Sequence, residues 1–425
     1  MAQYFPTHGN DGYRVGHYDL ELDYRVAANR LSGVAVLTAH ALDPLERFEL
    51  DLGTFRVGQV LVDGERVRHT HRADKLQITP RHWIQEGRRF TVEVRYAGTP
   101  RPVPSVWGGL GWEQLTDGVI VASQPIGAPS WYPCNDRPDN KATYRITVRT
   151  ASPYQVVANG ELAAKTHAGG TTTWVYEQAE PMAAYLASVQ IGRYRRVEQH
   201  GPVPIRLLYP TRLATRVQYD FGRQRQMLDA FTEFFGPYPF RAYTAVVTDD
   251  PLEIPIEAQG VSIFGSNQVD GRRGNERLVA HELAHQWFGN SLTLGHWRDI
   301  WLHEGFACYA EWLWSEASGG KRADEHAARW YRRLAAQPGD FVLADPGIRR
   351  LFDDRVYKRG ALTLHALRDA LGDPAFFSML REWTADYRHG TVSTGRFTEL
   401  ARHYTDQPLD ALFDAWLYSP AVPDQ

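Results

Sequence analysis

The chain has 425 residues, 43% of them hydrophobic and 12% aromatic, which excludes wholesale disorder and allows two or three domains with their own cores. A formal charge of -3 argues against nucleic acid or an anionic membrane as the main partner. The amino-terminal segment lacks a charged-then-apolar leader, and no stretch approaches the roughly eighteen apolar residues of a membrane span. We therefore expect a soluble protein.

The first half of the chain is built from short segments in which apolar and polar residues alternate, for example 18–24 and 90–96. Alternation with a period of two is typical of half-buried strands. Asp63-Gly64 and Asn159-Gly160 are dipeptides that tolerate positive φ, and they predict tight hairpins. We expect an antiparallel β domain over residues 1–209.

The second half, residues 210–425, changes to helical periodicity. We expect a helix within 212–235, strands within 243–264, and helices over most of the remainder. The candidate core residues of the first helix are Phe221, Met227, Leu228, Phe231 and Phe234. Further helices are predicted at 301–317, 360–371 and 409–417. The fold class is therefore α+β, an antiparallel β domain followed by a mostly helical one.

The segment 281–285 reads His-Glu-Leu-Ala-His and is predicted to lie on a helix. Residues four apart project from one helical face, so His281 and His285 can direct two imidazoles at one metal ion, with Glu282 beside them to act on a water. The alternative is an accidental match with two buried histidines. A second predicted helix begins near Trp301, which places Glu304 early on it.

A catalytic zinc site has three nitrogen or carboxylate ligands and a fourth position open to solvent. His281, His285 and Glu304 supply that set, and a hydrolase follows. Cys308 lies four residues after Glu304 on the same helical face; a fourth ligand is one interpretation, and a small buried residue is the one we favour. Because Cys308 and Cys134 are the two cysteines and fall in different predicted domains, we expect no disulfide and a cytoplasmic location.

Longer segments around these residues resemble the zinc aminopeptidases typified by aminopeptidase N and leukotriene hydrolase, the gluzincins with a thermolysin-like catalytic domain. In the second half these segments are 281–290, 301–307 and 356–361, and in the first half they are 132–138, 141–144 and 181–187. The resemblance covers nearly the whole chain. It implies an N-terminal β domain followed by a thermolysin-like catalytic domain with one zinc ion.

The resemblance also implies a role for each matching residue. His281, His285 and Glu304 would bind zinc and Glu282 would be the general base. Tyr357 would donate a hydrogen bond to the oxyanion. The residues implied in recognition of the substrate's free amine are Glu257 and Gln124, and Glu311 is implied as the acceptor that orients a zinc-binding histidine.

Two departures from the family pattern bear on substrate access. The segment 254–258, Ile-Pro-Ile-Glu-Ala, keeps the glutamate of the family's Gly-Ala-Met-Glu-Asn element but not its small start or its terminal asparagine. The chain also ends soon after residues 416–420, where many relatives continue into a large helical domain, so we expect a short form with a more open cleft.

The function expected from these residues is a metallopeptidase, a hydrolase that removes N-terminal residues from peptides by attack of metal-activated water on the first peptide bond. Its partners would be peptides with a free N-terminus, without nucleic acid or membrane. Two alternatives stay open at this point: a zinc endopeptidase using the same metal core, and a non-catalytic peptide-binding protein on the same fold.

Overall fold

The computed structural model describes residues 4–423. In the first part of the chain, strands predominate. They are β1 (Tyr13–Arg25), β2 (Arg30–Ala41), β3 (Phe48–Asp51), β4 (Arg56–Val62), β5 (Glu65–Arg66), β6 (Arg68–Arg72), β7 (Lys75–Thr79), β8 (Arg89–Gly98), β9 (Val103–Ser105), β10 (Gly108–Leu115), β11 (Gly118–Ala122), β12 (Lys141–Ala151), β13 (Gln155–Ala158), β14 (Glu161–Ala168), β15 (Thr171–Ala183), β16 (Val189–Gly192), β17 (Arg195–Gln199) and β18 (Ile205–Tyr209).

The remaining strands are short and are interspersed among helices. They are β19 (Tyr243–Val247), β20 (Ile256–Ala258), β21 (Val261–Phe264), β22 (Thr293–Leu294) and β23 (Thr391–Val392). The helices are α1 (Ala214–Asp220), α2 (Gln224–Phe235), α3 (Glu276–Ala284), α4 (Trp301–Ala317), α5 (Ala323–Ala335), α6 (Asp354–Leu371), α7 (Asp373–Asp386), α8 (Thr394–Arg402) and α9 (Asp410–Phe413). The α+β class predicted from the sequence is the one observed.

The largest sheet has eight strands in the order β14-β15-β12-β1-β2-β8-β4-β5. All its neighbours pair antiparallel except β1 and β12, which run parallel, with Leu20 opposite Ile146. A parallel pair needs a crossover connection, and here the chain between the two partners builds other strands of the domain. The alternating residues of β1 and β12 that point inward are buried, as expected of a sheet with one face on a core.

The two predicted hairpins have different outcomes. Asp63 and Gly64 connect β4 to β5 with φ of 50° and 81°, the left-handed pair that a two-residue turn requires. The Asn159-Gly160 prediction was wrong, because β13 and β14 on its two sides belong to different sheets. Asn159 is fully buried, and its side chain hydrogen-bonds the backbone at Leu186, Ser188 and Gln259.

A five-stranded sheet, β17-β18-β19-β21-β20, links the two halves of the chain. Strands β17 and β18 precede residue 210, yet β18 pairs in parallel with β19. A domain boundary between residues 209 and 210 coincides with the end of β18 at Tyr209. It nevertheless separates β17 and β18 from the other strands of the same sheet. Beyond it, the predicted helix within 212–235 is divided into α1 and α2. Of the five predicted core side chains, Phe234 is only partly buried, and the other four are buried: Phe221, Met227, Leu228 and Phe231.

Lys141, at the start of β12, reaches from the β-rich half into the helical half. Its partly buried amino group donates hydrogen bonds to the carbonyl oxygens of Asn290 at 3.1 Å, Ser291 at 2.7 Å and Gly390 at 3.3 Å. Asn290 and Ser291 follow α3 and Gly390 precedes β23, so one side chain holds two segments of the neighbouring half. Within residues 4–423, no helix has both the length and the apolar character needed to cross a bilayer.

Candidate metal centre

Helices α3 and α4 together place three metal-ligating groups around one point. His281 lies on α3, and His285 follows directly after its last residue with helical backbone angles. Glu304 lies in the first turn of α4. Its Oε2 is 3.5 Å from Nε2 of each histidine, and the ligand atoms of all three residues lie within 4.8 Å of one another. All three residues are buried.

The far nitrogen of each imidazole is held by an acceptor. Nδ1 of His281 donates to Oε1 of Glu311 at 2.8 Å, and Nδ1 of His285 donates to the Phe288 carbonyl oxygen at 3.0 Å. Glu311 lies on α4 two turns beyond Glu304, and it is also 3.4 Å from the Arg277 guanidinium. Fixing Nδ1 as the protonated nitrogen leaves the Nε2 lone pairs directed at the common point.

The donor set fits zinc. Two imidazole nitrogens and one carboxylate oxygen form the three-ligand arrangement of a catalytic zinc site with one position left open. The buried Oε2 of Glu282 has no hydrogen-bond partner among the described residues, as expected of a group directed at a bound water. Burial, reinforced by the Glu257 carboxylate, raises the pKa of Glu282 to about 8.

The charges in this centre are strongly coupled. Burial opposes ionisation of Glu304, but the two histidines hold the pKa of this carboxyl below its usual range. Burial likewise disfavours the imidazolium forms, yet in the metal-free protein the neighbouring carboxylates raise the pKa of His281 to about 9 and that of His285 to about 10. The site therefore attracts positive charge, whether protons or a metal cation.

Tyr357 enters the centre from the first turn of α6. Its ring lies nearly parallel to that of His281, with centroids 5.9 Å apart. Helix α6 approaches α4 closely because glycines face each other: a Cβ on Gly305 would lie 2.8 Å from the Cα of Gly360. Burial and then Glu304 raise the pKa of Tyr357 well above its ordinary value, so the phenol stays protonated.

Glu257, on β20, lies at the edge of the same centre. Its carboxylate, that of Glu282 and a ring nitrogen of His285 all lie within 4.8 Å of one another. Burial raises the pKa of Glu257, while His285 acts in the opposite direction. Gln124, the other residue expected at an amine site, lies half buried in the loop after β11. The structure thus places Glu257 in the centre and Gln124 in a loop of the β-rich half.

The other candidates near the motif have structural partners. The Sγ of Cys308 is 3.3 Å from the buried Nζ of Lys358, and no metal-ligand group in the described chain includes it. His303 accepts a hydrogen bond from the Leu294 amide at 2.9 Å, and burial lowers its pKa to about 3. The first observation agrees with the interpretation of Cys308 as a small buried residue, and His303 is likewise a buried packing group.

Sequence reasoning missed the contacts made by two amide side chains in the motif, Gln286 and Asn290. Both donate to the Ala258 carbonyl oxygen, at 3.2 and 3.0 Å. Gln286 also accepts from the Gly260 amide at 2.8 Å. These contacts join the end of the metal-binding segment to the hairpin that carries Glu257. In the sequence, the only indication of these contacts is the presence of two amide side chains within segment 281–290.

Comparison with known proteins places this geometry in a family. Residues 15–186 match the peptidase M1 N-terminal domain, and residues 219–416 match the peptidase family M1 domain. The crystal structure of an M1 zinc metallopeptidase from Deinococcus radiodurans superposes with a TM-score of 0.91 and 32% identity, covering 99% of this chain and 97% of that one. The chain belongs to the M1 family of zinc metallopeptidases, and its cofactor is accordingly a single zinc ion.

Curated relatives are more distant and longer. Leucine aminopeptidase 2 of Eremothecium gossypii is 27% identical over 441 aligned residues, which cover 97% of this chain and 69% of the relative. Aminopeptidase M1 of Arabidopsis thaliana is 25% identical over 72% of this chain and 37% of its own length. The chain thus spans between about a third and about two thirds of the length of these two relatives.

Proposed function

We propose that this protein is a zinc-dependent aminopeptidase that hydrolyses the first peptide bond of peptides with a free N-terminus. The observation that carries the proposal is the position of Glu257, whose carboxylate lies within 4.8 Å of both Glu282 and His285. A variant of the similar Deinococcus radiodurans enzyme is described as bound to a Tyr-Ser-Ala substrate, which supports short peptides as the substrate class.

We assign the zinc ligands as His281, His285 and Glu304. When bound there, zinc lowers the pKa of water toward about 7 and polarises a carbonyl as a Lewis acid. Glu282 then acts as general base. A carboxylate oxygen of Glu282 lies within 4.8 Å of a ring nitrogen of His285, and its Oε2 has no hydrogen-bond partner among the described residues. Its raised pKa suits a group that first accepts a proton from water and then delivers it to the leaving nitrogen.

Tyr357 is assigned as the donor to the oxygen of the attacked carbonyl. We expect Tyr357→Phe to lower kcat by about 10²- to 10³-fold, the usual cost of losing one oxyanion donor, with the zinc content unchanged. Steady-state kinetics together with metal analysis of the purified variant check this. Phe377→Tyr, or another conservative aromatic change far from the centre, serves as a control for activity that is lost during purification. A variant with the kinetics of the parent would remove Tyr357 from the reaction.

Glu311 is assigned as the acceptor that orients His281. Losing such a partner typically weakens metal binding by about 10- to 100-fold, so Glu311→Gln should raise the zinc dissociation constant by that factor while a zinc-saturated sample keeps substantial activity. Competition with a chelator measures the constant. The matched control is Glu316→Gln on the same helix; equal zinc affinity of all three proteins would contradict the assignment.

Zinc binding should depend steeply on pH. In the metal-free protein, carboxylates raise the pKa of His281 to about 9 and of His285 to about 10, and ligation requires both imidazoles in the neutral form. Below pH about 9, protons must therefore leave as zinc binds, so apparent affinity rises with pH. We expect an increase of more than about tenfold per unit between pH 6 and 8; an affinity independent of pH would contradict this charge balance.

The amine site consists of Glu257, with Gln124 as a second, neutral acceptor in our proposal. A protonated α-amine near Glu257 forms a charge-assisted hydrogen bond and occupies a region that otherwise contains two neighbouring carboxylates. Because that position is fixed relative to Glu282, the bond presented to the general base is the first one of the chain. This geometry distinguishes an exopeptidase from an endopeptidase.

The test compares an aminoacyl amide bearing a free amine with its N-acetylated counterpart. An aminopeptidase should cleave the free-amine compound at least about tenfold more efficiently, because acetylation removes the charged partner of a partly buried carboxylate. Equal turnover of both would favour the endopeptidase alternative. Zinc bound at one equivalent with neither substrate hydrolysed would favour a peptide-binding protein.

Two further assignments complete the proposal. We place the protein in the cytoplasm, supported by the two buried, unpaired thiols of Cys134 and Cys308, which suit a reducing compartment. We also propose a division into residues 1–209 and 210–425, in which β17 and β18 of the first domain are strands of the five-stranded sheet that continues into the second. Peptides are the proposed partners, without nucleic acid or membrane.

A further inference from the structure

We infer that Gln286 is a positioning residue for substrate-amine recognition, because its side chain fixes the hairpin that carries Glu257 to the end of the metal-binding segment. This inference rests on the proposed aminopeptidase function and deepens it. Gln286 lies one residue after His285 and is fully buried. Its side-chain hydrogen bonds go to backbone groups of the hairpin, so it acts through Glu257.

The hairpin needs an external support. Strand β20, residues 256–258, has only three residues and lies at one end of the five-stranded sheet. On the sheet side, Glu257 is paired with Ser262 of β21. Because the strand is short and has a neighbouring strand on one side alone, its backbone hydrogen bonds to β21 constrain it only weakly. The position of the Glu257 carboxylate therefore depends on contacts from outside the sheet.

Gln286 supplies two of these contacts with one amide group. Its Oε1 accepts from the Gly260 amide at 2.8 Å, and its Nε2 donates to the Ala258 carbonyl oxygen at 3.2 Å. Ala258 is the last residue of β20 and Gly260 lies in the turn that follows it, so the contact holds the turn end of the hairpin, next to Glu257. Because a side-chain amide offers a donor and an acceptor in a fixed plane, this bidentate contact fixes the orientation of the hairpin as well as its distance.

Two other side chains also hold the hairpin by hydrogen bonds to its backbone. Asn290 adds a second donor to the Ala258 oxygen at 3.0 Å. From the β-rich half, the buried Asn159 donates to the Gln259 carbonyl oxygen at 2.9 Å. Gln286 is the member of this group that directly follows a metal ligand in sequence. It therefore sets the distance between the amine site and the metal, which determines that the first peptide bond meets Glu282.

The primary variant is Gln286→Met, which keeps the volume and flexibility of the side chain but removes both hydrogen bonds. We expect the preference for the free-amine substrate over its acetylated counterpart to fall about tenfold, less than in Glu257→Gln, with one zinc per chain retained. Inhibition by an amino-acid hydroxamate should weaken by a similar factor. Inhibition by acetohydroxamate, which has no amine, should be unchanged.

A double-mutant cycle separates positioning from general disruption. If Gln286 acts through Glu257, adding Gln286→Met to Glu257→Gln produces no further loss of amine preference. The matched control is Gln224→Met on α2: Gln224 is also fully buried, and its amide has no partner among the described residues. This control should leave the preference, the zinc content and both inhibition constants unchanged.

Clear outcomes overturn the inference. It fails if Gln286→Met keeps the parental preference, if it weakens both hydroxamates equally, or if its effect adds fully to that of Glu257→Gln. If Gln286→Met does not fold, Asn290→Ala, which removes the second donor to Ala258, must lower the preference by a smaller factor, about threefold, and no change would overturn the inference. A parent protein without any free-amine preference would instead show that the proposed function itself is wrong.

Discussion

Glu282→Gln will lower kcat by about 10²- to 10⁴-fold, the contribution expected of a positioned general base, while the protein keeps one zinc ion. The amide has nearly the shape of the carboxylate but cannot accept the proton of the attacking water. Zinc should be retained because the proposed ligands are His281, His285 and Glu304, and Glu282 is not one of them. Stopped-flow or steady-state kinetics of the zinc-saturated protein measure kcat, and metal analysis of the same sample measures its zinc content.

Glu276→Gln is the matched control for this variant. It makes the same chemical change on the same helix, but Glu276 forms an ion pair with Arg223 away from the metal ligands. We expect its kcat to stay within about twofold of the parent, because this partly buried ion pair includes none of the proposed metal ligands. If Glu282→Gln were as active as this control, another group would have to be the base.

Glu257→Gln will selectively reduce recognition of the free amine. A hydrogen bond to a charged group contributes about 1.5 to 3 kcal/mol, so kcat/KM for a free-amine substrate should fall by about 10- to 100-fold. The rate on the N-acetylated counterpart should change little, since that compound does not use the charge. The ratio of the two kcat/KM values is the quantity to measure.

Glu253→Gln is the control for the amine site. Glu253 is exposed and lies four residues before Glu257, so it shares the charge change and the local segment but not the position beside Glu282. Its substrate ratio should equal that of the parent. If Glu257→Gln lowered kcat/KM for both substrates by the same factor, the site would be disturbed in general, and the assignment of Glu257 to amine recognition would be contradicted.

The arrangement around the metal was the most predictable part of the molecule. The four-residue spacing of His281 and His285 follows from helix geometry, and Glu304 was expected early on the next helix; the structure brings all three together. Glu311 follows Glu304 at a spacing that returns to the same face, and it meets His281 at 2.8 Å. These positions can be predicted because the spacing of residues along a helix determines which side chains share a face.

Features that depend on contacts distant in sequence were not predictable in the same way. The parallel pairing of β1 with β12 depends on which strands become neighbours, and alternation does not encode that order. Asn159-Gly160 has the composition of a hairpin turn, but the buried Asn159 amide satisfies backbone groups of other segments. The contacts of Gln286 with the hairpin of Glu257 leave no periodic signal at all.

The central claim is that one zinc ion, held by His281, His285 and Glu304, drives removal of N-terminal residues. The most direct measurement is hydrolysis of a free peptide, followed by mass spectrometry, before zinc removal, after chelation and after return of one equivalent of zinc. We predict stepwise loss of single N-terminal residues, loss of activity on chelation and recovery at one zinc per chain. Undiminished cleavage by the zinc-free protein, or internal cleavage as the first event, would contradict it.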